Sequence, residues 1–236
     1  MSRPSRLGLV VQARLGSTRL ARKALLPLGG LTMADQVLRR LILVPAEVYV
    51  LATDEASAPE LGPIAARNGF ELLVGPAEDV LARYCLAVRR FGLGRVLRAT
   101  GDNPLVAHEL AATLVSRAEA AEAAGAPPAD YTSYSGLPLG MGVELVRAEA
   151  LLRAEAEARE LPEREHVCPY LYGHPELFRL DRPEAPEPWR FPEARVTVDT
   201  AADYEAVLRL YGALYSGSPV PTELVYAYLR GQGRAA

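Results

Sequence analysis

Apolar runs and segments with helical spacing alternate along the first half of the chain. Near-continuous apolar runs predict buried strands at 7–12, 47–53, 70–75 and 95–102. Helical spacing predicts helices at 33–44, 58–69, 77–92 and 108–125. Because strands that are apolar at nearly every position are covered on both faces, the pattern predicts an α/β fold with a mostly parallel sheet and helices on both sides.

The second half of the chain has a less regular pattern. The predicted elements are, in order, two short strands around a Gly/Pro loop within 129–147, helical turns broken at Pro162 within 148–173, a strand at 194–200 and a helix over 201–215. The segment 182–193 is too rich in proline to be a helix. Since no repeat or low-complexity linker divides the chain, we expect one domain over 1–236 with an inserted subregion near 129–190.

Composition and charge exclude several classes of protein. The net charge of −3, from 26 basic and 29 acidic residues, lacks the basic field that nonspecific binding to nucleic acid needs. The longest hydrophobic region, 41–53, contains Pro45 and Glu47 and is too short to insert across a membrane. Cys85 and Cys168 form no disulfide or metal-binding pattern, which favours a reducing cytoplasm as the location.

The first predicted strand leads into an unusually basic loop. The segment "VVQARLGSTRLARKALL" at 10–26 contains three arginines and the only lysine of the chain. Small residues in such a loop expose backbone N–H groups, and Arg14, Arg19 and Lys23 add cations, which together suit a polyphosphate. Neither GxxxxGK[ST] nor GxGxxG is present. A solvated loop whose arginines pair with surface carboxylates remains the alternative.

Carboxylates follow two further predicted strands. In parallel α/β sheets, ligands bind beyond the carboxyl ends of the strands, where Asp102 and Asp199 are expected. One or two carboxylates plus substrate phosphates are a typical set of ligands for Mg²⁺. Asp102 could instead form a turn or a helix cap, and Asp199 could cap the next helix. Three strand ends with matching chemistry favour a phosphate and metal site over three separate structural roles.

Four segments carry a family resemblance. "QARLGSTRLARKAL", "RATGDNPLV", "PEREHVCPYLYGHPELF" and "RVTVDTAADYE" occur in this order, within roughly residues 6–215. The chain resembles the spore coat polysaccharide biosynthesis protein F family of cytidylyltransferases, which is related to the acylneuraminate and 3-deoxy-manno-octulosonate cytidylyltransferases. The resemblance implies a Rossmann-like nucleotidyltransferase fold with a mixed sheet of about seven strands. It also implies CTP and a sugar as substrates, Mg²⁺ as cofactor, pyrophosphate as product and a cytoplasmic homodimer.

The same resemblance assigns roles to individual residues. Catalysis is implied for Arg14, Lys23, Asp102 and Asp199, of which the two aspartates would bind the metal. The residues expected at the nucleotide are Gln12, Ala13, Arg14, Gly16, Ser17, Thr18, Arg19, Lys23, Thr53, Asp54, Asp79, Thr100 and Gly101. The residues expected at the sugar are Asn103, Glu144, Arg164 and His166.

The chain departs from the family pattern in its basic loop and on its sugar side. The family usually has "RLPGK" where this chain has Arg19-Leu20-Ala21-Arg22-Lys23, so we expect Arg22 to point to solvent and Lys23 to turn inward. The segment "LPLGMGVELV" replaces the usual "PDGLDVEV", so the sequence does not identify which sugar is the substrate. Two other classes remain as alternatives. One is a sugar-nucleotide-dependent glycosyltransferase, although no DxD metal motif occurs in the chain. The other is a non-catalytic nucleotide-binding module.

Overall fold

The computed structural model describes residues 6–232, so residues 1–5 and 233–236 of the predicted domain lie outside the described residues. Its strands are β1 (Leu7–Gln12), β2 (Pro27–Leu28), β3 (Leu31–Thr32), β4 (Val48–Thr53), β5 (Glu71–Val74), β6 (Arg95–Thr100), β7 (Tyr131–Thr132), β8 (Glu144–Arg147) and β9 (Leu180–Asp181). Its helices are α1 (Met33–Leu41), α2 (Ala58–Arg67), α3 (Val80–Phe91), α4 (His108–Ala123), α5 (Ala148–Glu157), α6 (Leu161–His166), α7 (Pro169–Gly173), α8 (Ala201–Leu214) and α9 (Thr222–Gln232). A short 3₁₀ turn covers Lys23–Leu25.

Seven of these strands form one mixed sheet, in the order β5-β4-β1-β6-β8-β7-β9. Strands β5, β4, β1 and β6 are parallel to one another, whereas β8 is antiparallel to both β6 and β7. One apolar layer packs α3 and α5 against the sheet, and the other packs α1, α2 and α4 against its opposite face. The predicted α/β fold, with a mostly parallel sheet covered on both faces, is therefore confirmed. No helix within residues 6–232 has the length and apolar character that crossing a bilayer requires.

The order of the strands places a ligand cleft between β1 and β6. The chain runs from β1 outward to β4 and β5, and then returns to add β6 on the other side of β1. Such a reversal leaves an opening at the carboxyl ends of the two central strands, because their following loops turn in opposite directions. Gln12, at the end of β1, is in register with Thr100 at the end of β6.

The predicted strand at 194–200 is wrong. Residues 196–198 of this segment are buried, and within the described residues its pairing is an isolated bridge between Leu139 and Arg195. The amides of Val196 and Thr197 donate to the carbonyl of Leu139, and the amide of Val198 donates to the carbonyl of Asp102. The segment cannot join the sheet beside β6, because β1 and β8 already occupy both edges of that strand. The apolar pattern correctly indicated burial but not the bonding partner.

The helix break that was predicted at Pro162 lies a few residues earlier in the structure, between α5 and α6. Helix α5 ends at Glu157 and α6 starts at Leu161, so Pro162 lies within the first turn of α6. Proline is tolerated there because the first N–H groups of a helix have no intrahelical partner. A second interruption, at Val167, separates α6 from α7. The pattern also missed α9, which packs with α8 in a third apolar cluster that contains Val196 and Val198.

Candidate active site

A cleft of about 340 Å³ opens at the carboxyl ends of β1 and β6. The predicted site residues that line it are Gln12, Ala13, Arg14, Gly16, Ser17, Thr18, Arg19, Lys23, Thr100, Gly101, Asp102, His166 and Asp199. The predicted site residues outside this lining are Thr53, Asp54, Asp79, Asn103, Glu144 and Arg164. The fold thus brings the basic loop and the two aspartates to one place, although they are far apart in the sequence.

The close approach of two loops forms the floor of the cleft. The amide of Gly101 donates to the carbonyl of Gln12 at 2.8 Å, and the amide of Ala13 donates to Ala52 at 3.1 Å. A Cβ atom at Gly101 would stand 2.8 Å from the Cβ of Ala13 and 3.0 Å from the oxygen of Gln12. Because such contacts are too short, only glycine lets the loop after β6 approach the end of β1 this closely.

Lys23 lies at the centre of the charged end of the cleft. Its Nζ donates to Oδ2 of Asp102 at 2.9 Å, to Oδ1 of Asp199 at 3.1 Å and to the carbonyl of Val198 at 2.8 Å. The side chains of all three charged residues are mostly buried, with 14% of Lys23, 28% of Asp102 and 16% of Asp199 exposed. The ammonium group therefore occupies a cation position formed by three oxygens.

Asp199 is surrounded by further cations. Its Oδ1 also accepts from Arg19 at 2.9 Å, and its Oδ2 accepts from Arg195 at 2.8 Å. Burial alone would raise the pKa of this carboxyl, but the hydrogen bond and the charge of Lys23, together with the two arginines, lower it below its ordinary value. The cap of α8 is Thr200, whose side chain accepts from the amide of Asp203. Asp199 is therefore a charged cleft residue and not the helix cap.

Asp102 is likewise not a helix cap. The N-cap of α4 is Ala107, and Oδ1 of Asp102 accepts from the hydroxyl of Thr100 at 2.6 Å. The amide of the Asn103 side chain donates to the same hydroxyl at 2.8 Å. This chain of bonds fixes the orientation of the Asp102 carboxylate and leaves its Oδ2 facing Lys23.

The rest of the basic loop has both a cleft side and a solvent side. Arg14 lines the cleft and pairs with Glu165 at 3.2 Å and with Glu78 at 3.5 Å. Arg22 is more than half exposed, pairs with Glu60 at the surface, and adopts a left-handed backbone with φ of 52°. The loop thus turns Lys23 inward and Arg22 outward, as the resemblance implied. The left-handed residue is the one at which the family usually has glycine.

A strained turn lies next to the part of the cleft wall that α6 forms. Val167 is fully buried with φ of 74° and ψ of −56°, a conformation that a β-branched residue rarely adopts. It forms a three-residue turn in which the amide of Cys168 donates to the carbonyl of His166 at 2.9 Å. The turn directly follows Glu165 and His166, which line the cleft.

Most of the predicted residues outside the lining have partners that position other groups. Asp79 caps α3 and pairs with Nε of Arg164 at 2.8 Å, which fastens α6 to α3. Asp54 accepts from the amide of Ser57 at 2.8 Å, and Thr53 is buried at the end of β4. Glu144 pairs with Arg98 and accepts from Tyr131, and Arg98 in turn donates to Gln12 at 3.1 Å.

Sequence reasoning missed three charged residues of the cleft lining: Arg83, Arg98 and Glu165. For two of them the sequence does contain a signal, because each interrupts an apolar pattern. Arg83 interrupts the apolar face of an amphipathic helix, and Arg98 interrupts the apolar strand "RVLRAT". A charged residue at a position that should be buried indicates a partner or a ligand. Glu165 had no such signal, because it lies within a run of charged residues.

No group of three or more His, Cys, Asp or Glu side chains in residues 6–232 forms a complete metal site.

Residues 9–228 match a family model described as cytidylyltransferase. The chain belongs to the cytidylyltransferase family. The match covers the basic loop, both cleft aspartates and α6, and it identifies the chain as a nucleotidyltransferase that uses CTP. It also decides among the three classes that the sequence left open.

Individual members of the cytidylyltransferase family agree with this placement. The chain is 34% identical to the spore coat polysaccharide biosynthesis protein SpsF of Bacillus subtilis, over 86% of this chain and 85% of that protein. It is 39% identical to a 3-deoxy-manno-octulosonate cytidylyltransferase of Leptothrix cholodnii, over 42% of this chain and 37% of that protein. Among solved structures, a cytidylyltransferase from Leptospira borgpetersenii superposes with a TM-score of 0.86 at 26% identity, covering 97% of this chain and 96% of that one. The predicted family and fold are confirmed.

Proposed function

We propose that the enzyme transfers CMP from CTP to a sugar, an acidic sugar or a sugar phosphate, with release of pyrophosphate, in the synthesis of a cell-surface or spore-coat polysaccharide. One observation carries this proposal: Lys23 lies between Asp102 and Asp199 at the base of an arginine-containing loop. One cleft therefore contains both cations that can bind phosphates and carboxylates that can bind a metal ion. The polysaccharide context is supported by the likeness to the spore coat protein.

The residues of the cleft fit a divalent cation, which we propose to be Mg²⁺. The oxygens of Asp102, Asp199 and Val198 already surround a cation, the ammonium group of Lys23. Mg²⁺ prefers oxygen ligands and commonly takes one or two carboxylates plus phosphates and water. Asp102 and Asp199 would hold it, and when bound it would neutralise charge on the phosphates at which the bond breaks.

The side chains of the cleft accomplish the reaction mainly by position and charge. An oxygen of the acceptor sugar attacks the α-phosphorus of CTP, the bond to the β-phosphate oxygen breaks, and pyrophosphate leaves. Arg14, Arg19 and Lys23 would neutralise the pyrophosphate as it forms, because all three are cations that line the cleft. Glu165 and His166 line the wall on which an acceptor would lie and provide groups that can take its proton.

The subregion at 129–190 is proposed to bind the sugar and to form a homodimer. It contains β7, β8, α5, α6 and α7, and α6 brings His166 to the cleft. Four of its large apolar side chains are exposed: Leu139, Leu161, Tyr172 and Leu177. Burial of these side chains between two copies of the chain would stabilise a homodimer. Sedimentation of the Leu161→Glu variant would show loss of the dimer, and a wild-type monomer would contradict the proposal.

The location expected from this activity is the cytoplasm. Both cysteines, Cys85 and Cys168, are free and buried. Burial raises the pKa of the Cys85 thiol to about 12 and that of Cys168 well above its ordinary value. Thiols that remain protonated and unpaired are compatible with a reducing compartment.

The proposed reaction can be tested by pyrophosphate release. The enzyme is incubated with Mg²⁺, a panel of acidic sugars and sugar phosphates, and each of CTP, UTP, ATP and GTP. We expect release with CTP in the presence of one sugar class, and Asp102→Asn should reduce the rate by at least about 100-fold. Glu71→Gln, an exposed carboxylate in the edge strand β5, is the matched control and should retain the wild-type rate. Release that is independent of every sugar, or equal for the four nucleotides, would contradict the proposal.

A further inference from the structure

The lining of the cleft contains a buried arginine, Arg83, and most of its N–H donors have no hydrogen-bond partner among residues 6–232. Arg83 lies in the second turn of α3 and is only 1% exposed, yet it lines the cleft. Its Nε and Nη1 are buried, and neither has a hydrogen-bond partner among residues 6–232. An unpartnered buried donor destabilises a protein by about 1–3 kcal/mol, and more when it is charged. Because Arg83 also lines the cleft, a ligand bound there can supply the missing acceptors.

Arg40, another fully buried arginine, shows how the fold satisfies a structural one. Its Nε donates to the carbonyl of Val106 at 2.8 Å, its Nη1 donates to the carbonyl of Val220, and its Nη2 lies 3.4 Å from the hydroxyl of Thr222. All three nitrogens of Arg40 therefore have protein acceptors. Arg83 differs in the bonding of its Nε and Nη1, although the two residues are equally buried.

The surroundings of Arg83 fix its side chain but do not neutralise it. Gly75 covers the stem so closely that a Cβ there would stand 2.8 Å from Cγ of Arg83. The nearby carboxylates have other partners, since Asp54 accepts from the amide of Ser57 and Glu78 pairs with Arg14. Burial lowers the pKa of Arg83, and the nearby Tyr84 and Asp54 offset this only in part.

Arg83 and Asp102 reach the cleft from opposite sides of β1. Helix α3 follows β5, which is separated from β1 by β4, on the side away from β6. Asp102 follows β6, and Lys23 and Asp199 gather around it. A nucleotide whose triphosphate lies at Lys23 would therefore extend its base across β1 toward Arg83 and Val80 of α3, which also line the cleft.

We propose that Arg83 reads the base of the nucleotide by donating two N–H bonds to the O2 and N3 atoms of cytosine. Each forked edge of a guanidinium contains Nε or Nη1, so each edge includes one of the unpaired donors. Cytosine presents two adjacent acceptors to such an edge. Uracil presents O2 beside an N3–H donor, which would face a second donor. Arg83 is then a specificity-determining residue, and this inference rests on the proposed use of CTP.

The effect of removing this pair follows from comparable recognition of bases. A good bidentate arginine pair discriminates against the wrong base by about 5- to 150-fold. Arg83→Met keeps the buried stem and removes the donors. We expect it to weaken CTP binding by this factor and to leave UTP binding and inorganic tripolyphosphate binding unchanged. Arg83→Lys keeps the charge without the fork, so it should lose part of the preference for CTP over UTP.

Without nucleotide, Arg83→Met should also be at least as stable as the wild type, because the mutation removes an uncompensated buried charge. A structural arginine behaves in the opposite way, and Arg40→Met should lower the melting temperature while the CTP to UTP ratio of the folded protein is retained. Titration calorimetry with CTP, UTP and tripolyphosphate, together with thermal unfolding without ligand, separates these roles. The Arg83→Lys variant provides the binding measurement if Arg83→Met does not fold.

Each outcome has a definite meaning. A CTP to UTP ratio that collapses in Arg83→Met, with tripolyphosphate binding retained, supports the inference. An equal loss for CTP, UTP and tripolyphosphate would make Arg83 a phosphate ligand and overturn it. A lowered melting temperature with an unchanged CTP to UTP ratio would make Arg83 structural and also overturn it. A wild-type enzyme that does not prefer CTP would refute the proposed nucleotide itself, whereas a wild-type preference that survives in both variants would refute only the role of Arg83.

Discussion

Replacing Lys23 by methionine tests whether its ammonium group occupies the position of the metal. The Nζ atom lies 2.9 Å from Asp102 and 3.1 Å from Asp199, so those two carboxylate oxygens are within about 6 Å of each other. At that separation and an effective dielectric constant of about 20, the repulsion of two unit charges is about 3 kcal/mol. Asp199 keeps Arg19 and Arg195, and Asp102 is partly solvated. We therefore expect Lys23→Met to destabilise the free enzyme by roughly 2 kcal/mol.

A divalent cation should then restore the free energy of unfolding that Lys23→Met loses. Without nucleotide, Mg²⁺ must displace Lys23 in the wild type, whereas in Lys23→Met the oxygens of Asp102, Asp199 and Val198 are free to bind it. A cation present at 100 times its dissociation constant adds about 2.7 kcal/mol to the free energy of unfolding. We expect Mg²⁺ to stabilise Lys23→Met by about this amount and the wild type by much less. In the same variant, CTP binding should weaken by roughly 1.5–3 kcal/mol through loss of a charged hydrogen bond.

Urea unfolding with and without Mg²⁺, in the absence of nucleotide, measures these free energies, and calorimetry measures CTP binding. The matched control is Arg22→Met, because Arg22 is the adjacent cation and pairs only with Glu60 at the surface. It should change the free energy of unfolding by no more than about 0.5 kcal/mol and leave the response to Mg²⁺ unchanged. If Mg²⁺ stabilised the wild type and Lys23→Met equally, the ammonium group would not be standing in the metal position, and the reasoning would be refuted.

Two further predictions concern backbone strain and pH. Arg22 has a left-handed backbone, so Arg22→Gly should keep at least the wild-type stability, whereas Arg22→Val should lose about 1–2 kcal/mol in urea unfolding; a tolerated valine would contradict the strain. Burial would raise the pKa of Asp35, but hydrogen bonds from Arg67, Thr32 and Asn68 lower it from 3.8 to about 2. Because the folded pKa is depressed, this carboxylate contributes about 2 kcal/mol above roughly pH 4, and the contribution is lost as the pH falls toward 2. Urea unfolding of Asp35→Asn and wild type should show a gap that closes over this range, and a gap that stays constant with pH would contradict the depressed pKa.

Local patterns in the sequence were sufficient to predict the parallel part of the sheet. The strands β1, β4, β5 and β6 and the helices between them are built from residues whose burial repeats at short range, so each segment contains its own signal. Turn chemistry was also local: the predicted helix over 77–92 ends at Gly92, and this residue is its left-handed C-cap. The basic loop and Asp102 could be singled out because they directly follow such strands.

Only the tertiary structure decided which long-range partners these segments meet. The segment 194–200 reads as a strand, but its amides bond to Leu139 and Asp102 because both edges of β6 are already paired. That placement brings Asp199 to Lys23 across a separation of 176 residues. It also leaves Arg83 without partners for two of its nitrogens, which its sequence neighbours could not reveal. Burial is largely a property of a segment and its own periodicity, whereas the bonding of a buried polar group depends on which other segments surround it.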